Sequence, residues 1–89
     1  MTSWRSGAPL ELIRFAGANR LKVEIDYRAE WGRQGPRVVE PYALRRTRDG
    51  NLVLFVVNDD GDLRSYRTDR IARVSVTRRT FQPRYIIEF

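Results

Sequence analysis

Residues 21–28, LKVEIDYR, alternate apolar and charged side chains without a break. Leu21, Val23, Ile25 and Tyr27 occupy every second position, and a charged residue follows each of them. Successive side chains of a β-strand point to opposite faces of the sheet. This spacing therefore predicts a strand with one buried and one solvated face, which is the strongest constraint that the sequence places on the fold.

The segment before this strand has helical spacing instead. In residues 9–18, PLELIRFAGA, the apolar side chains of Leu10, Ile13 and Ala16 share one face of a helix. Pro9 suits the first turn, where its missing N–H costs nothing. We expect one short helix that covers the open end of a sheet.

Several short strands follow, each bounded by a loop or a turn. The apolar run LVLFVV at 52–57 is typical of a central strand, and the Asp-Gly pair at 49–50 indicates a hairpin turn before it. Pro41 cannot donate to a strand ladder, so we expect it at an edge or a bulge. The predicted strands are 21–28, 37–46, 52–57, 63–67, 72–77 and, in the C-terminal tail, a sixth from Tyr85 onwards.

One helix followed by five or six short strands and tight turns indicates a mainly β fold, a small and strongly bent β-barrel. A chain of 89 residues corresponds to one domain. We expect the helix at about 9–18, the barrel at about 21–78 and a C-terminal tail or strand at 79–89. A chain of this length leaves no room for a deep active-site cleft.

The sequence contains neither cysteine nor histidine. This excludes disulfides, thiolate metal sites and cysteine nucleophiles, and it removes the commonest metal ligand and general base near neutral pH. Asp59, Asp60 and Asp62 resemble part of a calcium loop, but the spacing and the terminal glutamate of an EF-hand are absent. A hairpin turn also requires Asp and Gly. We expect no enzymatic activity, no bound metal and no cofactor.

The N-terminal residues lack the continuous apolar segment of a signal peptide. The longest apolar run, LVLFVV, falls far short of the roughly 20 residues that span a membrane. These features predict a soluble, cytoplasmic protein with no membrane partner.

The positive charge is almost entirely arginine: 16 arginines and one lysine stand against 11 acidic residues, for a net charge of +6. Such a balance favours nucleic acid or another polyanion as the partner. The planar arginine fork grips phosphate with two hydrogen bonds and stacks on bases.

Arginine recurs at every third residue along LRSYRTDRIAR, at positions 64, 67, 70 and 73. A helix would gather these side chains into one stripe, whereas a strand would alternate them between two faces. The secondary structure of this stretch therefore decides whether the arginines form one basic surface.

Several segments of the chain together resemble the WYL domain family. They are VEIDY at 23–27, RVVEPYAL at 37–44, DGNLVLFVV at 49–57, RSYRTDRI at 64–71 and the closing TFQP at 80–83. The most specific is RSYRTDRI, which is similar to the family's Arg-x-aromatic-Arg-x-Asp-Arg-Ile signature. The resemblance covers roughly residues 12–83. The tripeptide Trp-Tyr-Leu that names the family falls on Leu52-Val53-Leu54, so the tyrosine that the family is thought to use around its ligand is lost.

The resemblance implies a five- to six-stranded SH3- or Sm-like β-barrel with one N-terminal helix. It also implies a non-catalytic, regulatory domain that senses a ligand, with single-stranded nucleic acid or a nucleotide as the favoured candidates. Family members usually join this domain to an N-terminal winged helix-turn-helix and often to a further C-terminal domain, and neither is expected here. The domain would then serve a larger regulatory or enzymatic partner.

In this kind of barrel the strand LRSYR gives way to a short 3₁₀ turn at TDRI. Residues i and i+3 eclipse in a 3₁₀ turn, so Arg67 and Arg70 can lie on one side. The prediction places Tyr66 toward the core and Arg64 on the opposite face of the strand. Asp69 either caps the turn or pairs with an arginine. The predicted ligand-binding or nucleic-acid-binding residues are Arg64, Arg67, Arg70 and Arg37.

Two features of this site stay open. Arg70 could instead pair with a carboxylate and hold the turn in place. Trp31, Tyr42 and Tyr85 could stack on bases or could be partly buried packing residues.

A secondary basic cluster of Arg45, Arg46 and Arg48 lies beside the turn at 49–50, where a solvated hairpin tip is the alternative.

A different class of function is also open, in which the domain is a protein-interaction or oligomerisation module. An edge of the barrel and the tail RYIIEF would then pair with a partner or with a second copy, since edge strands are templates for such pairing. The tail could equally pack back onto its own barrel.

Overall fold

The computed structural model describes residues 9–32 and 34–89. These residues form one α-helix, five β-strands and one 3₁₀ turn, which confirms the predicted helix and the first five predicted strands. The elements in chain order are α1 (Leu10–Ala18), β1 (Leu21–Tyr27), β2 (Gly35–Arg46), β3 (Leu52–Asn58), β4 (Leu63–Arg67), the 3₁₀ turn (Thr68–Arg70) and β5 (Ile71–Thr80).

The strands form one antiparallel sheet in the order β4-β3-β2-β1-β5. The predicted alternation in β1 is confirmed, because Val23 and Ile25 are fully buried and Glu24 between them is exposed. Val39 of β2 and Leu54 of β3 join them in the main core, which packs against α1. We call this side of the sheet the inner face and the opposite side the outer face.

Helix α1 covers part of the inner face with its apolar side. Ile13 and Ala16 are fully buried, and the helix contacts β1, β2 and β5. The helix ends at Ala18, where Asn19 donates its backbone N–H and its side-chain amide to the Phe15 carbonyl oxygen at 3.1 and 2.8 Å. In the part of the chain that the structure describes, no helix has the length and apolar character to cross a membrane.

Strands β4 and β5 lie at the two edges of the sheet, and within residues 9–32 and 34–89 they do not pair with each other. The 3₁₀ turn carries the chain from one edge to the other, so no hydrogen-bonded ladder closes the sheet. The fold is therefore mainly β with one helix, as predicted. The closed SH3- or Sm-like barrel is not confirmed.

Strand β2 contains a bulge at Pro41, as predicted. Its pairing with β3 shifts register between Pro41 and Ala43, because proline has no N–H to donate to the ladder. A bulge inserts one extra residue and bends the strand. Tyr42 accordingly lies outside the main core and packs with Val57 and Phe81 in a second apolar cluster.

The sixth strand predicted from Tyr85 onwards is wrong, because residues 81–89 form neither helix nor strand. The tail instead packs back onto the sheet. Ile87 packs against the second cluster, and Phe89 packs against the main core. The Phe89 ring lies so close to Gly17 of α1 that a methyl group on residue 17 would overlap it.

A buried carboxylate anchors this tail. The Glu40 side chain is only 5% exposed, and it accepts hydrogen bonds from the Tyr42 hydroxyl at 2.7 Å and from Nε and Nη2 of Arg84, both at 3.3 Å. The backbone N–H of Arg84 donates to the Tyr42 hydroxyl oxygen at 3.0 Å. Since a buried charge is tolerated only when it is paired and hydrogen-bonded, Glu40 holds Arg84 and the tail against the sheet.

Deleting residues 84–89 should lower the free energy of unfolding by about 2–5 kcal/mol. The deletion removes the cation that pairs with buried Glu40 and the burial of Ile87 and Phe89. Urea unfolding followed by circular dichroism measures the change. Ile86→Ala is the matched control, because Ile86 is 85% exposed and its truncation should cost less than about 0.5 kcal/mol. A shortened chain as stable as the full one would contradict this packing.

Burial, together with the hydrogen bond to Glu40, raises the pKa of Tyr42 from 10.0 to about 12. Because the folded pKa lies above the unfolded value, the contribution of Tyr42 to stability is complete below pH 10 and is lost as the pH rises through 12. An ultraviolet titration of tyrosinate absorbance should show a late phase near pH 12 that Tyr42→Phe removes. Tyr85→Phe is the control and should leave that phase in place.

Candidate ligand-binding cleft

A cleft opens on the sheet where β2 runs past the end of β3. Strand β2 pairs with β1 from Gly35, opposite Tyr27, but its pairing with β3 begins at Val39, opposite Asn58. The first residues of β2 therefore border a gap that β4 and the β3–β4 turn close on the other side. The cleft has a volume of about 600 Å³. Its lining residues are Tyr27, Ala29, Trp31, Arg37, Val38, Asn58, Asp59, Asp60, Arg64 and Tyr66.

Two tyrosines and an arginine form the wall that continues the inner face. The rings of Tyr27 and Tyr66 are 4.6 Å apart between centroids and tilted by 53°, and both pack against the main core. The Arg37 guanidinium carbon lies 5.3 Å from the Tyr27 centroid and 5.5 Å from the Tyr66 centroid. Cation–π attraction at these distances holds the guanidinium over the two rings.

Arg37 occupies this wall because of its register. It pairs with Ile25 of β1, and Ile25 is fully buried on the inner face. Directly paired residues of an antiparallel sheet project to the same side. The Arg37 side chain therefore lies on the apolar side of the sheet, and its Nη1 atom is shielded from solvent.

Arg64 and Tyr66 share a face of β4, so the prediction that they point to opposite faces is wrong. Arg64 pairs with Val56 and Tyr66 pairs with Leu54, and both partners are fully buried. Residues two apart on a strand lie on one side. The prediction that Tyr66 faces the core is confirmed.

Arg64 extends from that face to the exposed rim of the cleft. Its side chain is 51% exposed, and Nη2 lies 3.5 Å from the Asp62 carboxylate. Nη1 donates to the Leu63 carbonyl oxygen at 3.1 Å. Both are surface contacts of low strength, so the guanidinium can exchange them for a ligand.

Arg67 and Arg70, the other two predicted site residues, do not line the cleft. The 3₁₀ turn at 68–70 is confirmed. Arg67 donates from Nε and Nη2 to the two Asp69 oxygens at 3.1 and 2.6 Å, which lowers the pKa of Asp69 and raises that of Arg67. Asp69 thus pairs with an arginine rather than capping the turn.

Arg70 ties the loop between β1 and β2 to the 3₁₀ turn. Its Nη2 lies 3.3 Å from Glu30, and its carbonyl oxygen accepts a hydrogen bond from the Arg28 N–H at 2.8 Å. Pairing with a carboxylate is the alternative that the sequence left open. This loop carries Trp31, which is 83% exposed beside the cleft.

The other two predicted stacking residues lie elsewhere. Tyr42 is buried in the second cluster, where its ring contacts Phe81 and Tyr85 with centroid distances of 5.6 Å each. Tyr85 is 51% exposed but lines a groove on the outer face. Among Trp31, Tyr42 and Tyr85, the cleft therefore brings only Trp31 together with Arg37 and Arg64.

Two of the three arginines in the secondary basic cluster already contact other parts of the protein. Arg45 forms an ion pair with Glu88 of the tail, and Arg46 Nη1 donates to the Gly50 carbonyl oxygen at 2.8 Å. Arg48 is exposed in the β2–β3 turn. None of the three lines the cleft.

The acidic segment forms the β3–β4 turn. Asp59 lies 3.3 Å from Lys22 Nζ, and Asp62 faces Arg64. Within the described ranges, no three carboxylates converge as metal ligands do. Asn58, Asp59 and Asp60 contribute to the lining of the cleft.

Sequence reasoning missed the tyrosine pair and the acidic turn as parts of the site. Tyr27 ends the alternating strand on its buried side, so alternation could have indicated an aromatic at the end of the inner face. The placement of Asn58 and Asp60 at the cleft carried no such signal in the sequence, because it depends on the register between β2 and β3.

The position of the missing family tyrosine lies outside this wall. Val53 pairs with Arg67 and with Arg45 and is only 8% exposed. Its side chain has no hydroxyl to offer a ligand, so the aromatic rings available to the cleft are those of Tyr27, Tyr66 and Trp31.

Comparison with curated proteins finds no match for this chain. The sequence profile of the WYL domain matches residues 9–76, which is more than half of the chain and includes every residue that lines the cleft. The chain belongs to the WYL domain family, whose domains are generally regulatory, ligand-sensing modules without catalytic activity.

Proposed function

We propose that this domain is a non-catalytic sensor that binds single-stranded nucleic acid or a nucleotide in the cleft. The observation that carries the proposal is that Arg37 and Arg64, from separate strands, line the same cleft as three aromatic side chains. Phosphate requires cationic donors and a base requires a flat apolar surface. The cleft offers both within one volume.

Arg37 and Arg64 would contribute to phosphate binding in different ways. Arg37 is held over the Tyr27 and Tyr66 rings, so it loses little conformational freedom when a ligand binds. Arg64 is half exposed and can reach an incoming anion. Arg64 would attract the phosphate as the ligand approaches, and Arg37 would bind it in a fixed position.

The aromatic residues favour a single strand over a duplex. Trp31 is 83% exposed, and an exposed indole can stack on a base only when that base is not already stacked and paired within a double helix. Base–aromatic stacking contributes about 1–3 kcal/mol per base. A volume of about 600 Å³ lies within the range of small-ligand sites.

Arg67 and Arg70 take supporting parts in this proposal. Each is already paired with a carboxylate, Asp69 and Glu30 respectively. Arg70 holds the loop that presents Trp31, and Arg67 adds positive charge on the outer face of β4. Their loss should weaken binding less than the loss of Arg64.

Self-association is a second candidate function, favoured by apolar side chains on the outer face. Phe55, Leu63, Tyr85 and Ile86 are 37–85% exposed, and all four line a groove of about 260 Å³. The groove adjoins β4, an edge strand that could pair with β4 of a second copy. Light scattering over a concentration series tests this, since Leu63→Asp would abolish any dimer that uses the groove.

Arg64→Ala should weaken binding of a labelled single-stranded oligonucleotide by about 10-fold or more, the usual effect of losing a charge-assisted hydrogen bond. Fluorescence anisotropy over a salt series measures both the affinity and its salt dependence. Each phosphate contact contributes roughly −0.7 to the slope of log K against log salt for a single strand. The slope for Arg64→Ala should therefore be shallower by about that amount.

Arg48→Ala is the matched control, because it removes the same charge from an exposed turn outside the cleft. Arg67→Ala should fall between the control and Arg64→Ala. Equal losses in all three variants would indicate general attraction to a basic surface. The absence of binding by the wild-type protein near physiological salt would overturn the nucleic-acid proposal.

A further inference from the structure

The lining of the cleft carries charges of both signs. Arg37 and Arg64 provide positive charge, whereas the β3–β4 turn contributes Asn58, Asp59 and Asp60. A ligand that is only an anion would be repelled by the acidic turn. The mixed lining suits a ligand with a phosphate at one end and hydrogen-bond donors at the other.

The fold uses Asn58 to build this turn. Its Oδ1 accepts hydrogen bonds from the backbone N–H groups of Asp60 and Asp62, both at 2.9 Å. Gly61 completes the turn with a φ of 85° and an N–H donated to the Asn58 carbonyl oxygen at 3.0 Å. Because two donors fix the side-chain oxygen toward the turn, the amide nitrogen points away from them.

The Asp60 carboxylate, in contrast to the Asn58 side chain, takes no part in building the turn. Asp59 is paired with Lys22 and Asp62 with Arg64. Asp60, although it lines the cleft, forms no ion pair with any residue in 9–32 or 34–89. Its backbone N–H serves the turn, but its two carboxylate oxygens are available to a ligand.

A carboxylate accepts hydrogen bonds and donates none when it is ionised. Among the bases, guanine alone presents two adjacent donors, N1–H and the 2-amino group, beside an acceptor, O6. Adenine and cytosine place one amino group next to an acceptor, and uracil and thymine place one N–H between two acceptors. A carboxylate that accepts through both of its oxygens, next to an amide N–H₂, therefore matches the guanine edge better than the others, because each of the remaining bases offers the carboxylate only one donor beside an acceptor.

We infer that the β3–β4 turn selects guanine, with Asp60 accepting from N1–H and the 2-amino group and Asn58 donating to O6. The inference rests on the proposed function, since Arg37 and Arg64 hold the phosphate of the same nucleotide residue. Asp60 and Asn58 are specificity residues in this scheme and contribute little to the binding of other bases.

The experiment compares single-stranded thymidine oligonucleotides that carry one central guanine, inosine or adenine, by fluorescence anisotropy at fixed salt. Wild-type protein should bind the guanine oligonucleotide roughly 10-fold more tightly than the adenine one, the discrimination expected of one bidentate base contact. Inosine lacks the 2-amino group and should fall between the two. Asp60→Asn should bind all three oligonucleotides equally while its affinity for plain oligothymidine stays at or above the wild-type value.

Asp49→Asn is the charge-matched control, because Asp49 lies in the exposed β2–β3 turn outside the cleft, and it should keep the preference. Equal wild-type affinity for guanine and adenine would overturn the inference, as would a preference that survives Asp60→Asn. Either result leaves the proposed function standing if Arg64→Ala still loses affinity. Failure to bind any oligonucleotide would overturn both.

Discussion

The inner face of the sheet determines both the core and the cleft. Side chains at alternate positions of a strand share a side, so each strand that supplies a core residue also supplies whatever lies two positions further along. In β1 the series runs from Val23 through Ile25 to Tyr27, and in β2 from Val39 back to Arg37. Helix α1 covers the first part of this face. Where its coverage ends, the same face carries tyrosines and arginines, and the apolar core gives way to the lining of the cleft.

On the outer face, the buried carboxylate of Glu40 must be paired and hydrogen-bonded. Its carboxylate lies almost fully inside the protein, where it accepts hydrogen bonds from Tyr42 and Arg84. That anchor brings the C-terminal tail across the sheet, where Phe89 reaches α1. Arg84 also lies beside Gly61 of the β3–β4 turn, with its Nη1 3.5 Å from the position that a Cβ would occupy. Arg84 therefore connects the tail to the β3–β4 turn, which contributes to the lining of the cleft.

Much of the fold follows from local patterns in the sequence. The alternation at 21–28 predicted β1, the apolar run at 52–57 predicted β3, and Pro41 predicted an edge or a bulge in the second strand. For the tail the sequence left two outcomes open, because RYIIEF has the composition of a strand but can equally pack back onto the domain, as Ile87 and Phe89 do. Closure of the barrel could not be predicted, since it depends on whether β4 and β5 meet after the 3₁₀ turn.

The lining of the candidate cleft could be predicted only in part, because it depends on strand register and on how the arginines are paired. Arg37 and Arg64 were both proposed, and register brings them to one cleft. Arg67 and Arg70 satisfy nearby carboxylates instead, and no pattern of spacing distinguishes a paired arginine from an accessible one. Tyr27, Tyr66, Asn58 and Asp60 meet only through pairings between distant strands.

The most direct test of the account is a map of ligand contacts on the folded protein. The amide nitrogen–proton NMR spectrum, recorded during titration with a short single-stranded oligonucleotide, reports which residues respond. We expect the shifts to concentrate at 27–38 and 58–66, the two segments that line the cleft. Shifts concentrated instead on the outer face, around Phe55 and Ile86, would contradict it.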